Sequence, residues 1–309
     1  MGSAFVAEDE AECTAMTNTP DRWQRWLLDV RFGGDPEAHQ QDLAEFYYPV
    51  RNKVLDKAQL RPDDTVLDVG AGDGLIAFGA LERLGPDGQV IFSDISQDLL
   101  DHCRKAAEAE GVLQRCRFML APADQLSEVV TGSVGVVTTR SVLIYVKDKA
   151  AALREFYRVL APGGRISLFE PINVLMSDDD PGRFDGYDTR PVSALQAKVD
   201  ALYESIQPRG NDPMGDFDER DLLRHAEEAG FSVIDLELRV TVENAKRPVP
   251  WERFLRISGN PLIPPLGEAL DRTLTADEII TYTEHLRPLV ESGTGQERRA
   301  AAYLTAAKK

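Results

Sequence analysis

The chain has 309 residues, enough to bury a sizeable core, and one enlarged domain is the expected organisation. A formal net charge of −17 argues against a nucleic-acid partner, because such a surface repels phosphates on average and no Lys/Arg run offers a local exception. With 43% hydrophobic and 28% charged residues, and no apolar run near the roughly 18 to 20 residues of a membrane span, no membrane partner is expected either.

The cysteines Cys13, Cys103 and Cys116 form no C-x-x-C pair and read as free thiols of a reducing compartment. The first residues are polar and acidic, without a secretory pattern, so a cytoplasmic location is expected. The histidines, His39, His102, His225 and His285, show no ligand spacing, and no metal is expected.

In chain order, residues 1–18 read as a disordered tail. Thr19-Pro20 then reads as N-cap and first helical position, with Trp23, Trp26, Leu27 and Val30 on one face. Asp35-Pro36 opens a second helix carrying Leu43, Phe46 and Tyr47, and Val50, Val54, Leu55 and Ala58 continue the apolar stripe beyond Pro49. Residues 19–60 are therefore expected to form a helical N-terminal extension.

From about residue 64 short apolar runs alternate with amphipathic helices, the pattern of a parallel sheet built from βαβ units. Strands are expected at Thr65–Val69, Gln89–Asp94, 117–121, 134–139, 165–170 and 232–240, with PDG at 86–88 and PGG at 162–164 as turns. The stretch 171–217 is rich in Pro, Gly and Asp and too long for a simple loop; it reads as an insertion into a core spanning 61–244. A second helical insertion covers 245–294, with a capping box at Thr275 and Glu278, and 295–309 returns as the final strand.

The stretch VLDVGAGDG ends the first strand in Gly70, Gly72 and Gly74. Glycines there let the backbone turn sharply and approach a ligand where a Cβ would collide. The spacing is G-x-G-x-G instead of the dinucleotide G-x-G-x-x-G, and Asp68 and Asp73 flank the turn, which disfavours a pyrophosphate and makes a nicotinamide oxidoreductase unlikely. Asp94 ends the second strand, where a carboxylate can accept both hydroxyls of a ribose.

Together with SDIS at 93–96 and REFYRVLAPGGRISLFEP at 154–171, these residues resemble the class I S-adenosylmethionine (SAM) dependent methyltransferases, in particular the small-molecule, UbiE-like branch. The resemblance runs from about residue 54 to 240. It implies an α/β fold: a Rossmann-like, doubly wound, seven-stranded, mostly parallel sheet with a reversed last hairpin, here with the helical N-terminal extension and helical insertions forming a lid. It implies SAM as cofactor, with Asp68 toward the methionine amino group, Gly70, Ala71 and Gly72 beneath the methionine and ribose, Asp94 on the ribose and Ile95 on the adenine. Pro122 stands where the family often has an acid, which leaves Asp124 for the adenine amino group and the Ala123 N–H beside it. Arg140, Ser141 and Val142 would lie near the methionine end and the acceptor.

The activity implied is in-line methyl transfer to an O, N or C nucleophile of a small organic acceptor. Arg140, Glu170 and Tyr48 are the catalytic candidates, with Tyr47, Tyr145 and the acidic run Asp178 to Asp180 open as alternatives. The Asn/Asp-Pro-Pro-Tyr motif of nucleic-acid amino methylases is absent, since Thr138, Thr139 and Arg140 stand there. A peptide or protein acceptor, or a non-catalytic SAM-binding protein, are the other readings, and a homodimer is left open.

Overall fold

The computed structural model describes residues 20–176 and 182–309. The expected tail at 1–18, the Thr19 cap and the Asp178 to Asp180 run lie outside the described residues.

Seven strands form one sheet in the order β3-β2-β1-β4-β5-β9-β8. They are β1 (Thr65–Val69), β2 (Gln89–Asp94), β3 (Cys116–Leu120), β4 (Val134–Arg140), β5 (Leu160–Pro171), β8 (Ser232–Glu243) and β9 (Glu297–Ala307). The ribbon β6 (Arg183–Phe184) and β7 (Tyr187–Asp188) stands apart. The first five strands run parallel and β9 is antiparallel to both β5 and β8, the reversed hairpin that was expected. The chain order reverses between β1 and β4, so the crevice at their carboxyl ends is the topological switch point where open α/β sheets bind ligands.

Alternation along the strands sends Val66 and Leu67 into different apolar clusters on the two faces of the sheet. One face is covered by α3 (Tyr48–Ala58), α4 (Leu75–Arg83) and α5 (Gln97–Ala109), the other by α6 (Lys149–Val159) and α9 (Glu219–Ala229). Residues 162–164 are not the turn expected from PGG. Val134 pairs with Leu160 but Val136 pairs with Arg165, so these residues bulge within β5, and the C-terminal strand holds the bulge through Gly163 N donating to Lys308 O and Lys308 N to Gly164 O.

The N-terminal extension opens differently from its expected cap. Asp21 caps α1 (Arg22–Leu28), its side chain accepting from Trp23 N and Gln24 N, and Pro20 stays outside the helix. Asp35 and Pro36 do start α2 (Pro36–Asp42) as cap and first position. Between α2 and α3, residues Leu43–Tyr47 form a wide π-helical turn in which Tyr48 N donates to Leu43 O. Pro49 accounts for it: its ring would clash with the Glu45 carbonyl in a regular helix and it has no N–H to donate.

The two insertions join into one helical layer. The short α7 (Asn173–Met176) packs on β9, whereas α8 (Ser193–Ile206), α10 (Trp251–Phe254), α11 (Leu266–Thr273) and α12 (Ala276–Ser292) share a separate core of Tyr187, Val199, Trp251, Leu270, Tyr282 and Leu286. Tyr282 Oη donates to Gln196 Oε1 at 2.6 Å inside it. Asp42 at the end of α2 pins this layer to the N-terminal extension, with Oδ1 2.7 Å from Arg247 Nη1 and Oδ2 3.2 Å from Arg253 Nη2, and Arg253 Nε also donates to Phe32 O. Among the described residues no helix is long and apolar enough to cross a membrane.

Because Arg253 is buried, Asp42→Ala strands a guanidinium, but partial exposure of Asp42 moderates the loss. Urea denaturation is expected to show about 1 to 3 kcal/mol of destabilisation, below the figure for a fully buried pair.

Candidate functional site

The turn after β1 approaches its surroundings through bare main chain. Gly70 and Gly72 both have positive φ, at 65° and 57°. A Cβ on Gly70 would collide with the Val142 side chain, and one on Gly72 would stand 3.0 Å from Leu27 Cδ2, so neither position admits a larger residue without displacing a neighbour. Ala71 N donates to Ser93 O, tying the turn to the end of β2. Beneath it the Cys103 thiol donates to Gly72 O at 3.2 Å, and burial keeps that thiol protonated.

Asp94 holds the same turn from the next strand. Its Oδ2 accepts from Gly72 N at 2.8 Å and its Oδ1 from Ser96 N at 2.9 Å, and burial raises its pKa against these two bonds. Each oxygen keeps a lone pair beyond those bonds, so the carboxylate can still accept from a ligand. Ile95 beside it is 52% exposed, an apolar side chain in position to cover a flat ring. Ala121 N donates to Asp94 O and Ala123 is buried, which brings the 121–124 segment alongside; Asp124 is only half-buried there.

Asp68 and Thr138 sit opposite one another on parallel neighbours, and Thr138 Oγ1 donates to Asp68 Oδ1 at 2.7 Å. Burial at 2% exposure pushes the Asp68 pKa up to about 7, against the pull of Thr138 and of the Arg140 charge. Strand periodicity places Arg140 on the same face as Thr138. Its Nη1 is buried with no hydrogen-bond partner, and its guanidinium lies 5.2 Å from the centre of the Tyr47 ring. Among the described residues Arg140 forms no salt bridge with the acidic surface.

The other two catalytic candidates do not lie beside Arg140. Glu170 lies on the opposite face with Thr139, fully buried, its Oε1 accepting from Thr139 Oγ1 at 3.1 Å and Val142 N at 3.0 Å and its Oε2 from Ile144 N at 3.2 Å. With these donors and 1% exposure, it braces the turn after β4. Ser141 enters that turn with φ 58°, a sparsely populated conformation for a non-glycine residue, fixed by Ser141 N donating to Phe169 O. Tyr48 is 39% exposed and lies under Arg51, so it points away from the site. Tyr47 takes the inward place, because the π-helical turn rotates it toward Arg140.

Helix α1 lies across the mouth. Asp21 Oδ2 accepts from Ser96 Oγ at 2.6 Å, Asp21 N donates to Asp98, Leu27 rests on Gly72, and Trp23 packs edge-on against Tyr145 at 5.0 Å. Trp26 Nε1 donates to Ser258 O, reaching the insertion layer. Asp21 and Arg31 carry no sequence signal beyond their residue type. Only the path of the N-terminal extension brings them to the site.

Residues 66–164 match the family described as a methyltransferase domain. The chain is 32% identical over 123 residues to an arsenite methyltransferase of Halobacterium salinarum, covering 40% of this chain and 31% of that protein. It is 34% identical over 122 residues to the tRNA 5-carboxymethoxyuridine methyltransferase of Escherichia coli K12 (39% and 46%) and 36% identical over 113 residues to the UbiE C-methyltransferase of Stenotrophomonas maltophilia (37% and 44%). Each match therefore spans less than half of the relative's own length. Among solved structures, the YcgJ protein of Bacillus subtilis superposes with TM-score 0.52 at 17% identity over 85% of this chain and 99% of its own. Geranyl diphosphate methyltransferase in complex with SAM gives 0.50 at 16%, over 91% and 95%. At such identities the likeness is one of fold.

If Glu170 is a brace, Glu170→Gln places an amide NH₂ against donors and should lower stability by about 1 to 3 kcal/mol in chemical denaturation. An unchanged midpoint would return it to the catalytic candidates.

Proposed function

We propose that this chain, whose residues 66–164 belong to the methyltransferase domain family, transfers a methyl group from SAM to a small organic acceptor. The carrying observation is the placement of α1 across the glycine turn, bonded through Asp21 to the N-terminus of α5, a cover that favours a small acceptor over a duplex or a folded protein. The net charge of −17 supports the same choice against nucleic acid.

The residues fit the cofactor. Bare main chain at Gly70 and Gly72 suits its close approach, with Ala71 between them; the remaining lone pairs of Asp94 suit the ribose hydroxyls; and Ile95, Ala123 and Asp124 line the adenine end. Asp68 offers a carboxylate toward the ammonium of the methionine end. When bound, SAM supplies a methyl group already activated on a sulfonium.

The protein's own work is then alignment and exclusion of water. Fixing two reactants in line can remove roughly 7 to 11 kcal/mol from a barrier. Trp23, Leu27 and Tyr145 close the space, and the braced turn at 141–145 fixes one wall. Burial pushes the Tyr145 pKa up to about 12, so this phenol donates a hydrogen bond and takes no proton near neutral pH. The acceptor this arrangement favours is one whose nucleophile needs no strong base.

Calorimetry with S-adenosylhomocysteine tests the site directly. Asp94→Ala is expected to weaken binding by about tenfold or more, since a carboxylate accepting two hydroxyls is lost, while circular dichroism stays native. Unchanged affinity counts against the assignment.

Asp68 predicts a pH dependence. Its free-protein pKa near 7 means that below 7 it holds a proton which an ammonium ligand must expel, so affinity should fall about tenfold per pH unit below 7 and level off above it. For folding the sign is opposite in benefit: a raised folded pKa means the unliganded chain loses stability as pH climbs from the ordinary carboxylate range toward 7. Asp68→Asn should flatten the binding slope; a slope that survives assigns it to another group.

A further inference from the structure

Two cations meet beside Tyr47, and among the described residues neither forms an ion pair. Arg140 is partly buried, its Nη1 fully so and without a hydrogen-bond partner among the described residues, and its guanidinium lies 5.2 Å from the Tyr47 ring centre. Arg31, in the turn between α1 and α2, forms no ion pair among the described residues. It lies instead on the rings of Tyr47 at 4.6 Å, Trp26 at 4.9 Å and Phe32 at 5.8 Å. Burial first, and then the like charge of Arg31, push Arg140 below the ordinary guanidinium value. A buried donor without an acceptor and two neighbouring like charges are both unfavourable, and sites keep such features where a ligand relieves them.

We infer that Arg31 and Arg140 together bind the carboxylate of an acidic methyl acceptor whose apolar body lies against Tyr47 and Tyr145. The inference rests on the methyltransferase reading above. The planar fork of a guanidinium matches an oxyanion through paired N–H bonds, and aromatic rings beneath Arg31 hold its plane while excluding water. Asp68 and Asp73 also act on Arg140, and their charge penalises a dianion more than a monoanion, which favours a carboxylate over a phosphate. A carboxylate could come from the methionine tail of the cofactor or from the acceptor. Arg31 points to the acceptor, because it is carried by the N-terminal extension, and its charge also acts on Tyr145, the residue that packs on Trp23.

The test uses the full chain loaded with S-adenosylhomocysteine. Calorimetry follows benzoate, phenylacetate, cinnamate and octanoate, each beside its neutral amide, with phenyl phosphate as the dianionic probe. At least one acid should bind about tenfold or more tightly than its amide and than phenyl phosphate. Arg31→Gln should weaken that acid about tenfold or more while S-adenosylhomocysteine affinity stays within about twofold, and Arg31→Lys, keeping charge without the fork, should fall between. Three results overturn the inference: acids no better than amides across the panel, phenyl phosphate binding more tightly than any acid, or Arg31→Gln weakening S-adenosylhomocysteine as much as the acid. The last would move the pair to the methionine tail. Failure of the wild type to bind S-adenosylhomocysteine at all is a different result and removes the methyltransferase reading itself.

Discussion

Glu170 fixes the geometry on which the site depends. Its carboxylate gathers Thr139 Oγ1 and the Val142 and Ile144 N–H groups at the end of two parallel strands, so the chain leaving β4 cannot continue straight and must fold over the crevice. The left-handed Ser141 is the local strain that this gathering sustains. Several placements follow from the turn. Val142 fills the space beside Gly70, which is why that position can carry no side chain; Tyr145 is presented to Trp23; and Arg140, the last residue of the strand, stays on the opposite face, away from the carboxylate that might have neutralised it. A buried acid used this way rigidifies the wall of a site without entering its chemistry.

The parts legible in the sequence were those set by local chemistry. β1 and β2 fall where alternation and flanking glycines put them, the Asp35-Pro36 start and the Thr275 and Glu278 capping box appear as written, and Gly230 ends α9 in the left-handed conformation. The resemblance to methyltransferases could be read from VLDVGAGDG and its companions, residues 66–164 match the methyltransferase domain model, and the solved neighbours share the fold. What could not be read depends on contacts distant in the chain. The PGG bulge exists because β9, 144 residues later, bonds Gly163 and Gly164. The choice between Tyr47 and Tyr48 was decided by a π-helical turn, whose extra residue rotates everything after it, and sequence periodicity assumes a regular helix. Glu170 looked like an acid at a sheet edge, and only the folded turn reveals the N–H groups that occupy it. The pairing of the two insertions into one core, tied to α2 through Asp42, has no local signature at all.

The charges of the site are better understood against the field of the whole protein. A net charge of −17 attracts a cationic sulfonium and repels an organic acid, chiefly within roughly a Debye length of the surface, about 8 to 10 Å at ordinary salt. An acidic protein that is to hold an acid must therefore reverse its sign locally and in a desolvated place, where a few cations outweigh many screened surface carboxylates. Arg31 and Arg140 fit this description in part: one lies on aromatic rings and the other has a buried Nη1, which limits the water that would screen them. The surface acids oppose them only weakly across solvent. The same reasoning fits the finding that among the described residues neither arginine forms an ion pair, since an internal ion pair would cancel the local sign change at its source. On this view the long N-terminal extension does more than cover the cofactor end of the crevice. Through Arg31 it supplies half of the positive charge that sets what can lie opposite the methyl donor, which couples closure of the site to the chemical class of the molecule it closes upon.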